Sequence, residues 1–255
     1  MTGTMGARER RRTEVTAALL AAAKRELART GAAGLSVRAV ARDMDMAPSA
    51  LFRYISGRDE LLTLLIVDAY DDLGDHVEGV EKAVPRSDLR GRWRAIATSF
   101  RDWARVHPHE YALLYGSPVP DFHARGEDTN RADQRVTDLL AALGREAPHT
   151  PAPLHIADQP DLADFAGASG AEGLDSDLVT RGVTAWTSLI GAVSAEVFEH
   201  LGPDLPYEKT VFAAAVALGE WLLFGEARDE SAKQPDRPAD STPAEASVGR
   251  FLPEE

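Results

Sequence analysis

Residues 41–62 read ARDMDMAPSALFRYISGRDELL, and the placement of breakers and apolar residues in this stretch decides the fold. Pro48 opens a short helical segment, Pro48–Tyr54, at the one turn where a missing N–H costs nothing. Ser56-Gly57 interrupts it, and Arg58 or Asp59 then starts a long helix through Leu61, Leu62, Leu65, Ile66 and Tyr70 to about Val77. Working back toward the N-terminus, Ser36 is placed to cap a second short helix through Val37, Val40 and Ala41. Before it, Thr13–Thr30 is rich in Ala, Leu and Arg and free of Gly and Pro. Its larger apolar residues Val15, Leu19, Leu20 and Leu27 fall mostly on one face. Gly31-Ala32-Ala33-Gly34 then supplies the chemistry that ends a helix. One long helix, two short ones and a tight turn between them make a helix-turn-helix, whose second short helix is slim enough to enter a DNA major groove.

The charge pattern is compatible with that reading. The chain of 255 residues carries 28 Lys+Arg against 41 Asp+Glu, a formal net charge of −13. The first 60 residues nevertheless hold 11 basic against 7 acidic side chains, so a basic head precedes an acidic body. Chance clustering on a solvated surface is the plain alternative. With no cysteine, disulfides, thiolate metal sites and cysteine nucleophiles are excluded. No apolar run reaches the roughly 18 residues of a membrane span, and Met1–Arg8 lacks the apolar core of a signal peptide. The expectation is a cytoplasmic protein with no membrane partner.

Further helices fit Ser87–Val106, His109–Tyr115, Asn130–Gly144, Asp177–Leu201 and Pro206–Phe224, with no strand alternation of useful length. The fold class expected is all-α: a three-helix head over residues 1–57 with a basic arm, and a larger helical domain over 58–225. Residues 116–128 and 146–175 read as loops, the latter with a short helix near Asp161–Phe165. Residues 226–255 read as a disordered acidic tail.

The stretch from Gly34 to Leu62 resembles the TetR family of bacterial transcriptional regulators, and the resemblance covers about residues 12–62. Gly34-Leu35-Ser36-Val37-Arg38 matches the entry to that family's second helix, and Asp45-Met46-Ala47 its turn. Leu51-Phe52-Arg53-Tyr54-Ile55 matches its aromatic cluster, and Arg58-Asp59-Glu60-Leu61-Leu62 the opening of its fourth helix. The DNA-facing residues it implies are Ser36, Arg38, Ala47, Pro48, Ser49, Phe52, Arg53, Tyr54 and Arg58. Departures matter. Asp45 stands where the family has a turn glycine, and Asp tolerates a left-handed conformation better than most residues. Ala47 and Pro48 replace polar residues, and Phe52 replaces a tyrosine and so loses a hydroxyl. Specificity therefore leans on Ser49, Arg53 and Tyr54, with Arg58 and the Arg8–Arg12 arm as phosphate anchors. Arg53 pairs either with a guanine or with a surface carboxylate; Tyr54 meets either phosphate or the core. Val37, Val40, Leu51 and Ile55 read as core.

The body is similar to the WHG-type C-terminal domain found behind such heads, through His107–Pro120 and Trp186–Ser194. That resemblance implies an effector-binding and dimerisation domain rather than an enzyme. Val183, Ile190, Val193 and Val197 with Phe212, Ala215, Val216, Gly219 and Leu223 are expected at the dimer interface, an intramolecular core stripe being the alternative. Trp103, His107, Tyr111, Tyr115, Trp186 and Phe198 are expected to wall a pocket for an unidentified small-molecule effector. No cofactor or metal is expected: His107 and His109, two apart, diverge on a helix, and no phosphate-binding glycine loop or nucleophile elbow is present. The function expected is a homodimeric repressor on a palindromic double-stranded DNA operator. The alternative is a helical ligand-binding or protein-interaction module that has lost DNA binding.

Overall fold

The structure, a computed structural model, describes residues 6–120, 122, 127–147, 162–168 and 170–226. The tail expected beyond Glu226 lies outside the described residues. Among them there are ten α-helices, one 3-10 turn and no strand. The head is α1 (Ala7–Gly34), α2 (Val37–Asp43) and α3 (Pro48–Leu51). The body follows as α4 (Arg58–Glu81), α5 (Leu89–Val106), α6 (Pro108–Tyr115), α7 (Glu127–Glu146), α8 (Ala163–Ala168), α9 (Ser176–Val197) and α10 (Val211–Phe224). The 3-10 turn Tyr207–Lys209 joins the last two.

Helix ends follow the local chemistry. Ser36 caps α2, its hydroxyl accepting from the Ala39 N–H at 3.4 Å; Asp88 and Asp175 cap α5 and α9 at 2.8 Å. Gly31, at φ 68, bends the end of α1 before a last turn to Gly34. Several boundaries differ from expectation: α7 extends to Glu127–Glu146 beyond the expected Asn130–Gly144, and α10 starts at Val211 rather than Pro206, behind the 3-10 turn. The helix α1 begins at Ala7 rather than Thr13, because the Arg/Glu-rich residues between contain no breaker. The helix α3 stops at Leu51 and unwinds through tighter turns, the N–H of Arg53 and of Tyr54 donating to the carbonyls of Ala50 and Leu51. The helix α4 runs one turn further, to Glu81. The helix α9 ends at Val197, just before Glu199 turns left-handed at φ 52.

Among the described residues two large hydrophobic cores and a small third cluster organise the chain. The head core collects Leu19, Ala23, Leu35, Val40, Leu51 and Ile55, and also Leu61, Leu62 and Leu65 from the first two turns of α4. Its edge is closed by Leu113 of α6 and by Val119 and Phe122 beyond it. The body core continues down α4 through Ala69, Leu73 and Val77 and is filled by Trp93, Phe100, Trp103, Tyr111, Leu189 and Phe212. One helix therefore serves both cores, and the head's core extends past residue 57. Three arginines are buried in the body, each beside a carboxylate: Arg92 with Glu81 and Glu146, Arg101 with Glu196, Arg181 with Asp177.

The expected dimer stripe needs correction. Val193, Phe212, Ala215, Gly219 and Leu223 are buried inside a single chain. Gly219 lets the Trp93 indole approach: a Cβ there would fall 2.6 Å from the indole Cε2. Trp93 Nε1 donates to the Val216 carbonyl at 2.9 Å. Ile190, Val197 and Val216 are half-buried against the same core, and only Val183 of the expected set is exposed. The outward face is a different stripe: Val183, Thr184, Thr187 and Gly191 on α9, and Ala213, Ala214, Ala217, Leu218 and Trp221 on α10. Helices α9 and α10 are apolar on two sides, so periodicity alone does not say which side meets the chain's own core.

Candidate nucleic-acid interface

The head is assembled so that α3 has one face to hold and one to offer. Leu51 and Ile55 are buried beneath it. The turn before it is closed by the Met46 N–H donating to the Ala41 carbonyl at 2.9 Å. Asp45, at φ 53, takes the left-handed corner of that turn. Ala47, Pro48, Ser49, Phe52 and Arg53 are exposed on the other face, and Arg38 is exposed on α2. The Arg53 Nε donates to its own helix at the Ala50 carbonyl (3.4 Å) and has no carboxylate partner among the described ion pairs. Phe52, at 52% exposed, is a large apolar side chain left in solvent. Tyr54 and Ser36 are half-buried, Tyr54 against the head core and Ser36 as a cap.

Arg58 has a role that its position in the sequence did not disclose. Expected as a phosphate anchor, it is half-buried, and its guanidinium reaches back to the end of α1. Its Nε donates to the Leu35 carbonyl at 3.2 Å, and its Nη2 to the carbonyls of Ala32 at 2.9 Å and Ala33 at 3.2 Å. It ties the start of α4 to the α1–α2 junction, satisfying acceptors that a helix end leaves open. Glu60 makes a second tie, accepting from the Ser56 N–H at 2.5 Å. Hydrogen bonding by Ser56, with the charge of Arg12 adding to it, holds the Glu60 carboxyl below its ordinary range. Arg12 is thus close to the start of α4, and Arg8, Arg11 and Arg12 are exposed on the first turns of α1. Lys24 of α1 pairs with Asp68 of α4 at 2.6 Å.

In the body, the residues expected to wall a pocket are mostly core. Trp103 is buried and donates its indole N–H to Asp72 at 2.8 Å. His107 stacks on Trp103 with ring centres 5.3 Å apart. The Tyr111 hydroxyl shares a hydrogen bond with Ser194 at 2.8 Å and donates to the Ile190 carbonyl at 3.2 Å; burial pushes its pKa up to about 12. Tyr115 packs edge-on against Phe100 and Tyr70. Phe198 sits 36% exposed at the rim, 5.8 Å from Tyr111. The rings of Phe100, Tyr111, Tyr115 and Trp186 pack against one another. An apolar groove of about 250 Å³ lies elsewhere, between α7, α8 and α9. Of the expected residues only Trp186 lines it, in company with Leu140, Leu174, Leu178 and Val183. Sequence reasoning missed these, because aliphatic residues at helical spacing read as ordinary core. No helix among the described residues is long and apolar enough to cross a membrane.

Two family models match parts of the chain. Residues 19–65 match the family model described as bacterial regulatory proteins, tetR family. Residues 93–218 match the one described as tetracyclin repressor-like, C-terminal domain. Relatives described as HTH-type transcriptional regulators, from Mycobacterium tuberculosis and Mycobacterium bovis, are each 39% identical over 207 residues. The match covers 79% of this chain and 88% of the relative. The crystal structure of the regulatory protein SCO4313 superposes with a TM-score of 0.67 at 28% identity, covering 83% of this chain and 98% of that one. A Rhodococcus sp. RHA1 protein of unknown function gives 0.58 at 23%, covering 81% and 94%. The chain therefore belongs to the TetR family of transcriptional regulators, with a helix-turn-helix DNA-binding head and a TetR-type helical C-terminal domain.

Proposed function

We propose that the chain acts in the cytoplasm as a homodimeric repressor that leaves its operator when a small molecule binds the body. The observation that carries this reading is the outward face of α3. Its buried side is fixed by Leu51 and Ile55, while Ser49, Phe52 and Arg53, with Arg38 beside them, are left to solvent. A short helix whose exit turn carries an exposed aromatic ring and a guanidinium with no carboxylate partner among the described ion pairs is suited to base edges and thymine methyl groups in a major groove. Ser36, Arg38 and Tyr54 flank it at phosphate, with Ala47 and Pro48 close against the backbone. Arg58 acts by holding the head together, and the arginines of the first turns of α1 add salt-sensitive affinity. The outward stripe of α9 and α10 joins two copies through small residues, which allow close helix approach, and through the exposed Trp221. Because α4 belongs to both cores, a change in the body that tilts it changes the separation of the two heads; an effector that prefers one separation shifts DNA affinity.

Footprinting the purified protein on the DNA flanking its coding sequence, at two salt concentrations, tests this. The expected result is protection of a near-palindrome with half-sites about one helical turn (~34–36 Å) or slightly more apart, surviving the higher salt. Protection that is diffuse and lost with salt contradicts it, and ligand binding without DNA affinity gives the function to the body alone.

A further inference from the structure

The groove between α7, α8 and α9 is the one described cavity with an almost wholly apolar lining, and its chemistry restricts what can fill it. Among the described residues no charged side chain lines it. Its two hydroxyls, of Thr137 and Thr187, donate to carbonyls of their own helices, Gln134 and Val183, each at 2.8 Å. With those hydroxyls committed, the indole N–H of Trp186 is the one side-chain donor left among the described lining residues, and a carboxylate or phosphate placed there would lose most of its hydration without replacement. An extended peptide would strand its backbone N–H and C=O groups for the same reason. A helix about 10 Å across is too wide for a space of about 250 Å³.

The groove is also held open at a cost. Gly182 lies inside α9, where glycine is less favourable than alanine by about 1 kcal/mol. A Cβ built on it meets nothing within 4 Å, so the missing side chain leaves space. The floor is made of small residues: Ala141, Ala166 and Ala171 pack together with Val179.

One lining residue leads inward. Trp186 stacks on Phe100 with centres 4.7 Å apart. Phe100 meets Tyr115 of α6 at 5.5 Å, and Tyr115 meets Tyr70 of α4 at 6.4 Å.

We infer that this groove binds an uncharged, apolar small molecule, and that the ligand acts on α4 and α6 by displacing Trp186 against Phe100. The inference rests on the effector reading above and names the effector's chemical class and its place. Two substitutions separate it from a folding effect. Gly182→Leu fills the open space and favours the helix; Gly79→Leu does the same at an exposed, equally open position on α4.

The uncharged fluorophore N-phenyl-1-naphthylamine is titrated into the full chain, with 1-decanol and decanoate as competitors, and operator affinity is measured with and without 1-decanol. The expected result is saturable binding of one fluorophore per chain, displaced by 1-decanol and not by decanoate. Gly182→Leu weakens it roughly tenfold or more, the equivalent of the burial of a few methylenes, and Gly79→Leu leaves it unchanged. 1-Decanol weakens operator binding in the parent chain and not in Gly182→Leu. Absence of saturable binding, binding indifferent to Gly182→Leu, or equal competition by decanoate overturns the site. So does a change of oligomeric state in Gly182→Leu, which makes the groove a contact between copies. Ligand binding that leaves operator affinity unmoved overturns the coupling. Failure of the ligand-free parent to bind any operator overturns the repressor reading and leaves the groove's ligand standing.

Discussion

Replacing Arg58 with alanine separates two readings of the head. As a phosphate anchor, Arg58 would lend charge to DNA binding and little to stability. As placed, its guanidinium makes three donations, at 2.9, 3.2 and 3.2 Å, to the carbonyls of Ala32, Leu35 and Ala33. A hydrogen bond to a charged group contributes about 1.5–3 kcal/mol net. These three share one half-exposed guanidinium, and water can reach the abandoned carbonyls, so they count as one strong tie of about 2 kcal/mol rather than three. A loss of that size raises local opening about 30-fold. Amide hydrogen exchange around residues 35–40 should therefore accelerate about 30-fold in Arg58→Ala, with amides of α9 unaffected. The salt dependence of operator binding should keep its slope, because no phosphate contact is lost. An anchor would instead lower the slope by about 0.9 for each copy in the dimer. A slope reduced by nearly 2, with exchange unchanged, would refute the structural role.

The other expectations concern single contacts. Arg53→Ala should weaken operator binding by about 1–3 kcal/mol and relax preference at one base pair per half-site, whereas Arg38→Ala should weaken all sequences alike; a uniform loss in Arg53→Ala excludes base reading. Gly219→Ala should lower stability by about 1–2 kcal/mol, overpacking against Trp93 being partly offset by better helix propensity. Its denaturation midpoint should not depend on protein concentration, and a deficit that vanishes at high concentration would place Gly219 between copies. Glu81→Ala should cost about 3 kcal/mol in urea denaturation, leaving buried Arg92 with Glu146 alone, and Arg92→Met in the same chain should restore part of it. The Tyr111 phenol, raised by burial to about 12, stabilises the fold in its neutral form. Its contribution is complete below the ordinary tyrosine pKa of about 10 and is lost as pH rises through the raised value. Absorbance titration should show a late-ionising phenol that is absent in Tyr111→Phe; a titration curve unchanged by Tyr111→Phe above pH about 10 contradicts the burial argument.

The head was the most legible part of the chain because its signals are local. A glycine at the end of α1, a serine before α2 and a proline at the start of α3 each act within a turn of where they stand, and the structure places all three boundaries there. The α3 exit was less legible: residues 52–54 keep an aromatic pattern while the backbone has already left the helix. The tie made by Arg58 was not legible, because charge signals a surface only when no carbonyls wait nearby, and its partners lie 23–26 residues earlier. The body was legible in its helices and not in their faces. In α10 nearly every residue is apolar, so nothing in the order of Phe212, Ala215, Leu218 and Trp221 says which two meet the chain's own core. The groove left no positive sign at all, since an absent side chain at Gly182 and a set of aliphatic neighbours are what well-filled interiors also contain.

The two cores on α4 also bear on modular exchange. A head cut at Ser56-Gly57, where sequence punctuation invites the scissors, would leave behind Leu61, Leu62 and Leu65, and with them one wall of its interior. A graft onto a foreign body has to carry the chain through about Ile66–Ala69, the seam where α4 passes from one interior to the other. It must also bring a substitute for Leu113, Val119 and Phe122, which cover the head from within the body. Recombination in this architecture is thus easiest in the middle of a helix, where reading frame and helical phase must both be kept. Heads and bodies would then tend to be inherited together along with the phase of the helix between them.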